Sequence, residues 1–428
     1  MVHVAQVCYC FSVTAKSLDL YSSDEVAALN KRGVHVVDPC QTYISRSVSL
    51  ERIAYEGTIF YPGTRLTGER CFIGPHSVIG ETGPVSLDNV CLTGGVSIAS
   101  GHIAGSLLLD DVSIGPNAFV RKGCVLEESS SIAHAVGLKQ TILFPYVTLG
   151  SLINLCDIFV SGGTSSHDHS EVGSSFIHFN FTPNGPRGDK ATASLLGNVP
   201  DGVFLDQARI FLGGQSGIVG PVSIGFGSVL AAGAVYRKDV ARNQLVLGDR
   251  PLPGITKARR EVGGNVSAST MRKNIRYIGN LAALRVWYRA VRALFWVNDH
   301  IATFADQLLE DAVAERIKQV DRLLERIPTA DRQSDLVCSS WMSFCVALKA
   351  QWLLPISSAP SSSVLMEKAC ATLRSQAECS RDGYTEGSDD VTNYLSWVHS
   401  LSKNRVADMR SELERIVSAV EALYGSTE

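Results

Sequence analysis

A period of six residues in the segment 210–236 is the feature that most constrains the fold of this chain. Apolar side chains occur at Ile218, Ile224, Leu230 and Tyr236, and a small or slim residue lies two positions before each of them. An α-helix repeats every 3.6 residues and a plain strand every two, whereas six-residue repeats are typical of β-helices. We therefore expect a triangular prism of short strands, in which three repeats make one turn of about 18 residues.

The same rhythm extends over most of the first 245 residues. Because 45% of the residues are hydrophobic, six apolar residues at one fixed phase would arise by chance about once in a hundred trials. An ordinary β-sandwich of short strands is the alternative architecture. We predict a parallel β-helix over residues 34–245, on the evidence of its longest run: Leu108, Ile114, Val120, Leu126, Ile132 and Leu138.

Helical periodicity replaces the six-residue rhythm from about Ser267, where apolar residues recur at three- and four-residue steps. Beside this apolar face lie Arg285, Arg289 and Arg292. Such a stripe is expected to be a solvated surface, with phosphate or an acidic partner as the alternative. The predicted organisation has four parts: an N-terminal segment with a short helix (1–33), the β-helix (34–245), a linker (246–266) and an α-helical domain (267–428).

Composition bounds the class of protein. The chain has 428 residues and a formal net charge of −3 at pH 7, which predicts no bulk attraction to nucleic acid or to a membrane surface. Eleven cysteines without a CxxC pair indicate reduced thiols. Neither a signal peptide nor an uncharged apolar run of about 18 residues occurs, so we expect a cytoplasmic protein.

A long irregular segment, Ser161–Asp201, interrupts the repeats and is the predicted location of chemistry. It contains His167, His169 and His178, which are candidates for a general base because imidazole titrates near neutral pH. Each has a structural alternative: His167 and His169 as surface loop residues, and His178 as a residue at the edge of the core. Since few further ligands lie nearby, a zinc site is the weaker interpretation, and no metal is predicted.

Several short segments occur in a definite order along the chain: Gly33–Pro39, Ile114–Pro116 with Arg121, Lys139, Asn180–Phe181 and Ala231–Gly233. This order resembles one acyltransferase family, the acetyltransferase half of the bifunctional N-acetylglucosamine-1-phosphate uridyltransferase/glucosamine-1-phosphate acetyltransferases. The resemblance covers about half of the chain. It implies a left-handed parallel β-helix of hexapeptide repeats, here followed by an α-helical C-terminal domain.

The resemblance also implies partners and roles. The family forms a homotrimer and binds acetyl-CoA, or another acyl-CoA, between adjacent prisms. Arg121 and Lys139 would contact a sugar phosphate, and Asn180 would meet the acetyl group and the amine, although a structural amide ladder is its alternative. The backbone of Ala231, Ala232 and Gly233 would line the pantetheine channel.

The chain departs from the family pattern at the position of the general base. A gap-free alignment from Lys139 puts Ser151 at the family's catalytic histidine. The family's N-Y-D-G motif becomes Asn180–Pro183, and nothing in the 428 residues resembles the uridyltransferase half. We therefore expect one of the three histidines above to be the base. Lys190, near Arg187, is a further candidate phosphate contact whose alternative is a solvated loop.

Two functions of different class follow. The first is transfer of an acetyl or other acyl group from CoA to an amino-sugar phosphate or a nucleotide sugar. The second is a catalytically inactive β-helix that binds a sugar nucleotide or serves as an assembly scaffold. The lost family histidine favours the second, whereas the basic and amide groups kept in family order favour the first.

Overall fold

The computed structural model describes residues 19–179, 190–248, 267–296, 298–325, 332–352, 365–382 and 393–425. Within residues 19–248 the chain forms a parallel β-solenoid, and eleven strands stack along its first face. Three of the apolar residues predicted to face inward, Ile218, Ile224 and Leu230, point into this solenoid and are at most 1% exposed. Asn180, Arg187 and most of the predicted linker lie outside the described residues.

The strands are short and fall on three faces, each built from parallel pairs in register. Two long strands, Gly137–Leu143 and Asn154–Val160, turn a corner and contribute to two faces. The first face holds His35–Val36, Ile59–Phe60, Val78–Ile79, Ser97–Ile98, Ser113–Ile114, Ser131–Ile132, Thr148–Leu149, Glu171–Val172, Phe211–Leu212, Val229–Leu230 and Leu245–Val246. The second face holds Tyr43–Ile44, Arg65–Thr67, Val85–Asp88, Gly101–Ala104, Ala118–Val120, the first halves of the two long strands, Ile177–Phe179, Gly217–Val219 and Val235–Tyr236. The third face holds Phe72–Ile73, Cys91–Leu92, Ser106–Leu108, Cys124–Leu126, the second halves of the long strands, Ser194–Leu196 and Ser223–Ile224.

Helices precede, interrupt and follow the solenoid. The first helix begins after Ser22, whose side chain accepts from the backbone of Glu25 while Glu25 accepts from the backbone of Ser22, a capping box. Three short 3₁₀ turns occupy Pro39–Gln41, Leu50–Arg52 and Arg292–Leu294. The α-helices are α1 (Ser23–Lys31), α2 (Val199–Gly202), α3 (Ala268–Ala290), α4 (Asp299–Leu324), α5 (Arg332–Trp352), α6 (Leu365–Asp382), α7 (Tyr394–Ser400) and α8 (Lys403–Gly425).

The C-terminal helices cover the third face of the solenoid. Outward side chains on this face are apolar rather than polar, and Leu107, Val125, Ile142 and Phe159 share one hydrophobic cluster with helix α3. Burial of such side chains contributes roughly 1.5–3 kcal/mol each. A single core therefore joins the helices to the outside of the solenoid, while a second core fills its interior.

The arginine stripe of α3 and of the 3₁₀ turn that follows it is not a solvated face, so that expectation is wrong. Arg285 is fully buried and pairs with Asp306 of α4 at 2.7 Å, and Arg292 is 1% exposed and pairs with Glu128 of the solenoid. A guanidinium loses its hydration when helices pack over it, and a carboxylate partner compensates for that loss. The stripe holds the helices to one another and to the solenoid.

Helix α4 lies along the corner between the second and third faces. His300, near its start, contacts the backbone carbonyl of Arg70 at 3.1 Å, and Arg316 donates to Asp157 at 2.7 Å. The 16 residues from His300 to Arg316 span about 24 Å of helix. The five coils from Arg70 to Asp157 span a similar length, at roughly 4.8 Å each. The helix axis is therefore nearly parallel to the solenoid axis.

No helix among the described residues is long and apolar enough to cross a bilayer.

Candidate functional site

Two of the predicted phosphate contacts lie side by side on the second face. Lys139 pairs with Cys156 in the strand register, and Arg121 follows directly on the strand that pairs with Gly137–Leu138. Arg121 Nη2 lies 3.4 Å from Cys156 Sγ. Because side chains at equivalent positions of adjacent strands are about 5 Å apart, the three form one outward column on successive coils.

A third cation, Lys190, converges on the same place. Burial raises the pKa of the Cys156 thiol and Asp157 raises it further, while the charges of Arg121, Lys139 and Lys190 oppose that rise. Three cations close enough to act on one thiol make this part of the face attractive to a phosphate or another anion. We call Arg121, Lys139, Cys156 and Lys190 the basic patch.

His178 is a core residue of the solenoid. It occupies an inward position, in register with Ile218 of the next coil, and is 3% exposed. Its Nδ1 lies 2.5 Å from the Cys156 carbonyl and its Nε2 lies 2.8 Å from Ser194 Oγ. Desolvation lowers its pKa to about 4. The imidazole is therefore neutral near pH 7, with both nitrogens in use beneath the basic patch.

His167 and His169 lie in a tight turn closed by a bridge between Ser165 and Asp168. His169 Nδ1 is 2.8 Å from the Ser166 carbonyl, and Asp168 is 3.5 Å from Arg209. The turn follows the strand Asn154–Val160 and precedes Glu171–Val172, so it lies at the corner between the third and first faces, and it leaves the His167 ring exposed. Among the described residues, no group of three or more His, Cys, Asp or Glu side chains could hold a metal ion.

A histidine that the sequence reasoning missed lies at the corner between the first and second faces. His134 Nδ1 is 2.8 Å from Oγ of Ser151, the residue aligned with the family histidine; His134 is exposed and Ser151 is half-buried. Ser151 can accept from Nδ1–H, which leaves Nε2 able to accept a proton. The spacing of 17 residues, one coil of the solenoid, was the signal that could have paired them.

The predicted CoA residues lie further along this same corner. A ladder of backbone hydrogen bonds connects its coils, from His134 to Leu152 at 3.0 Å and onward to Gly214 and Gly233 at 3.1 Å. Ala231 N–H and Gly233 N–H bond to carbonyls of neighbouring coils, whereas Ala232 is exposed and forms no hydrogen bond within the described part of the chain. The backbone amide of Ala232 lies between two amides that bond to neighbouring coils, and it can bond to the amides of a pantetheine arm.

Comparisons with known proteins find bifunctional GlmU proteins that match about half of the chain at 26–30% identity. The chain is 30% identical over 227 residues to the bifunctional protein GlmU of Thermotoga maritima, an alignment that covers 52% of this chain and 44% of that protein. It is 29% identical over 217 residues to GlmU of Brevibacillus brevis, covering 51% and 41% of the two chains. With GlmU of Mycobacterium tuberculosis the identity is 26% over 254 residues, covering 58% and 45%.

The chain thus spans less than half the length of each of these relatives. No protein-family model matches the chain.

Proposed function

We propose that this chain is an acyltransferase of the left-handed hexapeptide-repeat type, which transfers an acetyl or other acyl group from CoA to an amino-sugar phosphate or a nucleotide sugar. The observation that carries the proposal is the basic patch, where Arg121 and Lys139 lie on adjacent coils of one outward face and the charge of Lys190 also acts on the Cys156 thiol. The similarity to GlmU proteins over about half of the chain supports it. The homotrimer and the cytoplasmic location remain predictions of the resemblance and of composition.

In the proposed reaction the basic patch holds the phosphate of the acceptor, and the resemblance assigns the contact with the acetyl group to Asn180. The acceptor amine attacks the thioester carbonyl carbon, the carbon–sulfur bond breaks, and the CoA thiolate leaves. A histidine takes the proton that the amine loses and returns it to the thiolate. The corner at Ala231–Gly233 holds the pantetheine arm, so that its thioester reaches along the corner toward the acceptor.

Four histidines are candidates for the base, and their surroundings rank them. His134 comes first, because it is exposed and its partner Ser151 holds the ring without occupying both nitrogens. His167 and His169 come next: they are exposed or half-buried, and their turn is at the corner between the third and first faces, across the solenoid from the second face that carries the basic patch. For His178 we propose a positioning role, since its contact with the Cys156 carbonyl supports the strand that carries the basic patch.

The first experiment measures acyl transfer from acetyl-CoA to glucosamine 1-phosphate and to a panel of amino-sugar nucleotides. Arg121→Ala and Lys139→Ala should each raise the acceptor KM about 10- to 100-fold, because a hydrogen bond to a charged group contributes roughly 1.5–3 kcal/mol. His134→Ala should lower kcat about 10²- to 10⁴-fold. Arg65→Ala is the matched control, since Arg65 is exposed on the same face three coils away from Arg121.

Two results would contradict the proposal. If millimolar CoA or acetyl-CoA does not raise the unfolding temperature, no CoA site exists and the scaffold alternative is favoured. If CoA binds but no acceptor is acylated, and a nucleotide sugar still binds to the basic patch, the chain is a binding protein. Transfer that survives the loss of His134 would move the base to His167 or His169, which the same assay tests in turn.

A further inference from the structure

A groove of about 310 Å³ separates helix α4 from the corner between the second and third faces, away from the proposed acyl-transfer site. Its floor is backbone, because Gly105 and Gly123 occupy the corner on successive coils. Both have positive φ, 51° and 83°, and a Cβ at Gly123 would lie 2.3 Å from Gln140 Nε2. Glycine is the residue that holds this turn at low cost and leaves the floor open.

One wall of the groove is a single stripe of helix α4. Leu308, Asp311, Glu315 and Lys318 follow at three- and four-residue steps, so they line the same side of the helix. The opposite wall is formed by Lys122 of the corner, next to Gln140. The stripe presents two carboxylates and one ammonium group to the groove.

Arg70 closes one end. Its guanidinium lies 5.2 Å from the centroid of the Phe304 ring, which holds it over the groove. Its Nη1 is 3.5 Å from Gln307 Oε1, a weak contact that uses one of five N–H donors. The remaining donors are available to a bound molecule.

The charges of this groove differ from those elsewhere between helices and solenoid. Arg292–Glu128, Arg316–Asp157 and Lys273–Asp239 are all closed ion pairs. In the groove, by contrast, three cations and two carboxylates converge, and none is within ion-pair distance of an opposite charge in the part of the chain that the structure describes. Separated charges of both signs around a small space suit a ligand that also carries both signs.

We propose that the groove binds a small zwitterion with two negative charges and one ammonium group. The site has three cations and two anions, a net charge of +1, and such a ligand has a net charge of about −1. Arg70, Lys122 and Lys318 hold its oxyanions, and Asp311 with Glu315 holds its ammonium group. A volume of about 310 Å³ is at the lower end of ligand sites, which limits the ligand to a small molecule.

Two classes of small molecule carry two negative charges and one ammonium group: acidic amino acids, and amines that bear a phosphomonoester. Isothermal titration calorimetry of the full chain with L-aspartate, L-glutamate and O-phosphoethanolamine distinguishes them. Ethanolamine, inorganic phosphate and succinate each lack one of the charged groups, and we expect them to bind at least tenfold more weakly than the better zwitterion. Raising the salt concentration should weaken binding by a similar factor, since the contacts are between partly exposed charges.

Single substitutions test whether the zwitterion binds in the groove. Lys122→Ala and Asp311→Asn should each weaken binding about tenfold or more, and Ala314→Trp should abolish it by filling the groove from an exposed helix position. Arg121→Ala is the control, because Arg121 adjoins Lys122 but belongs to the basic patch, and it should leave zwitterion binding unchanged. Circular dichroism and unfolding temperatures verify that each variant is folded.

The proposal is overturned if neither class of zwitterion binds at 10 mM, or if binding persists unchanged in Lys122→Ala and Asp311→Asn. Binding that Arg121→Ala abolishes and Ala314→Trp spares would assign the ligand to the basic patch and would also overturn it. None of these outcomes depends on acyl transfer, so the groove and the proposed enzyme can fail separately.

Discussion

Replacing Glu127 by glutamine should remove the loss of stability that its buried carboxyl causes as the pH rises from about 5 to about 8. Glu127 and Glu128 follow the strand Cys124–Leu126 and are buried under the helices, at 3% and 6% exposure. Tyr288 Oη donates to Glu127, and Arg292 donates to Glu128. One guanidinium neutralises one of the two carboxylates, so the pair retains one proton.

The size of the effect follows from the pKa values. Burial raises the pKa of Glu127 from 4.5 to about 8, and Glu128 adds to the rise. Between these values the folded chain holds a proton that the unfolded chain has lost, so stability falls as the pH rises from about 4.5 to about 8. At about 1.4 kcal/mol per pKa unit, the loss approaches about 5 kcal/mol by pH 9. Glutamine keeps the shape and an acceptor for Tyr288 but cannot ionise.

Urea unfolding of wild type and Glu127→Gln between pH 5 and 9 measures this difference. The two proteins should have similar midpoints at pH 5, and the variant should be increasingly more stable at higher pH. Glu56→Gln is the control, because Glu56 is exposed and its removal should leave the pH profile unchanged. Parallel profiles for wild type and Glu127→Gln would refute the assignment of the buried proton.

Three further predictions concern the solenoid and its contact with α4. Gly101→Ala should cost at least about 2 kcal/mol in urea unfolding, because φ is +136° and the new Cβ would lie 2.1 Å from a backbone oxygen, whereas Gly137→Ala, with no heavy atom closer than 3.9 Å, should be nearly neutral. His178→Gln should reduce the loss of stability that occurs as the pH falls from about 6.5 to about 4. In this range the unfolded chain binds a proton at His178, whereas the folded His178, with a pKa of about 4, does not. An unchanged slope would show that His178 is not the group responsible. Asp157→Asn should cost about 3–5 kcal/mol, because Arg316 then remains buried without its counter-charge, and adding Arg316→Met should recover part of the loss in the same assay.

The solenoid could be predicted because its interior follows a short-range rule. One inward apolar residue in six, with a small residue near each corner, is a local pattern, and the run from Leu108 to Leu138 is buried throughout. The third face, which the helices cover, also has a recognisable sequence pattern. Pairs of adjacent apolar residues, such as Leu107–Leu108 and Phe159–Val160, replace the usual alternation, since both sides of these strands are buried.

The site was harder to predict because its contacts join different coils. Arg121 and Lys139 could be aligned with a family, but the proximity of His134 to Ser151 depends on the length of one coil, 17 residues here and different where loops intervene. His178 was predicted as a candidate base, with the edge of the core as its alternative. Its neighbours Ile177 and Phe179 are 41% and 38% exposed, so alternation along the strand places His178 inside the solenoid. The burial of Arg285 and Arg292 depended on tertiary packing, which helical periodicity does not encode.

The alignment of helix α4 with the solenoid axis has a consequence for how the molecule unfolds. A solenoid alone is nearly one-dimensional, because each coil contacts only its neighbours, and it can fray from either end or open locally. Helix α4 contacts coils from Arg70 to Asp157, and α3 carries the core across several of the same coils. Opening any one of these coils must also break its contacts with α3 or α4, which contact the neighbouring coils as well. Cooperativity is thus transmitted over a distance of several coils, and hydrogen exchange in this central region should report one common opening energy rather than a gradient from the ends.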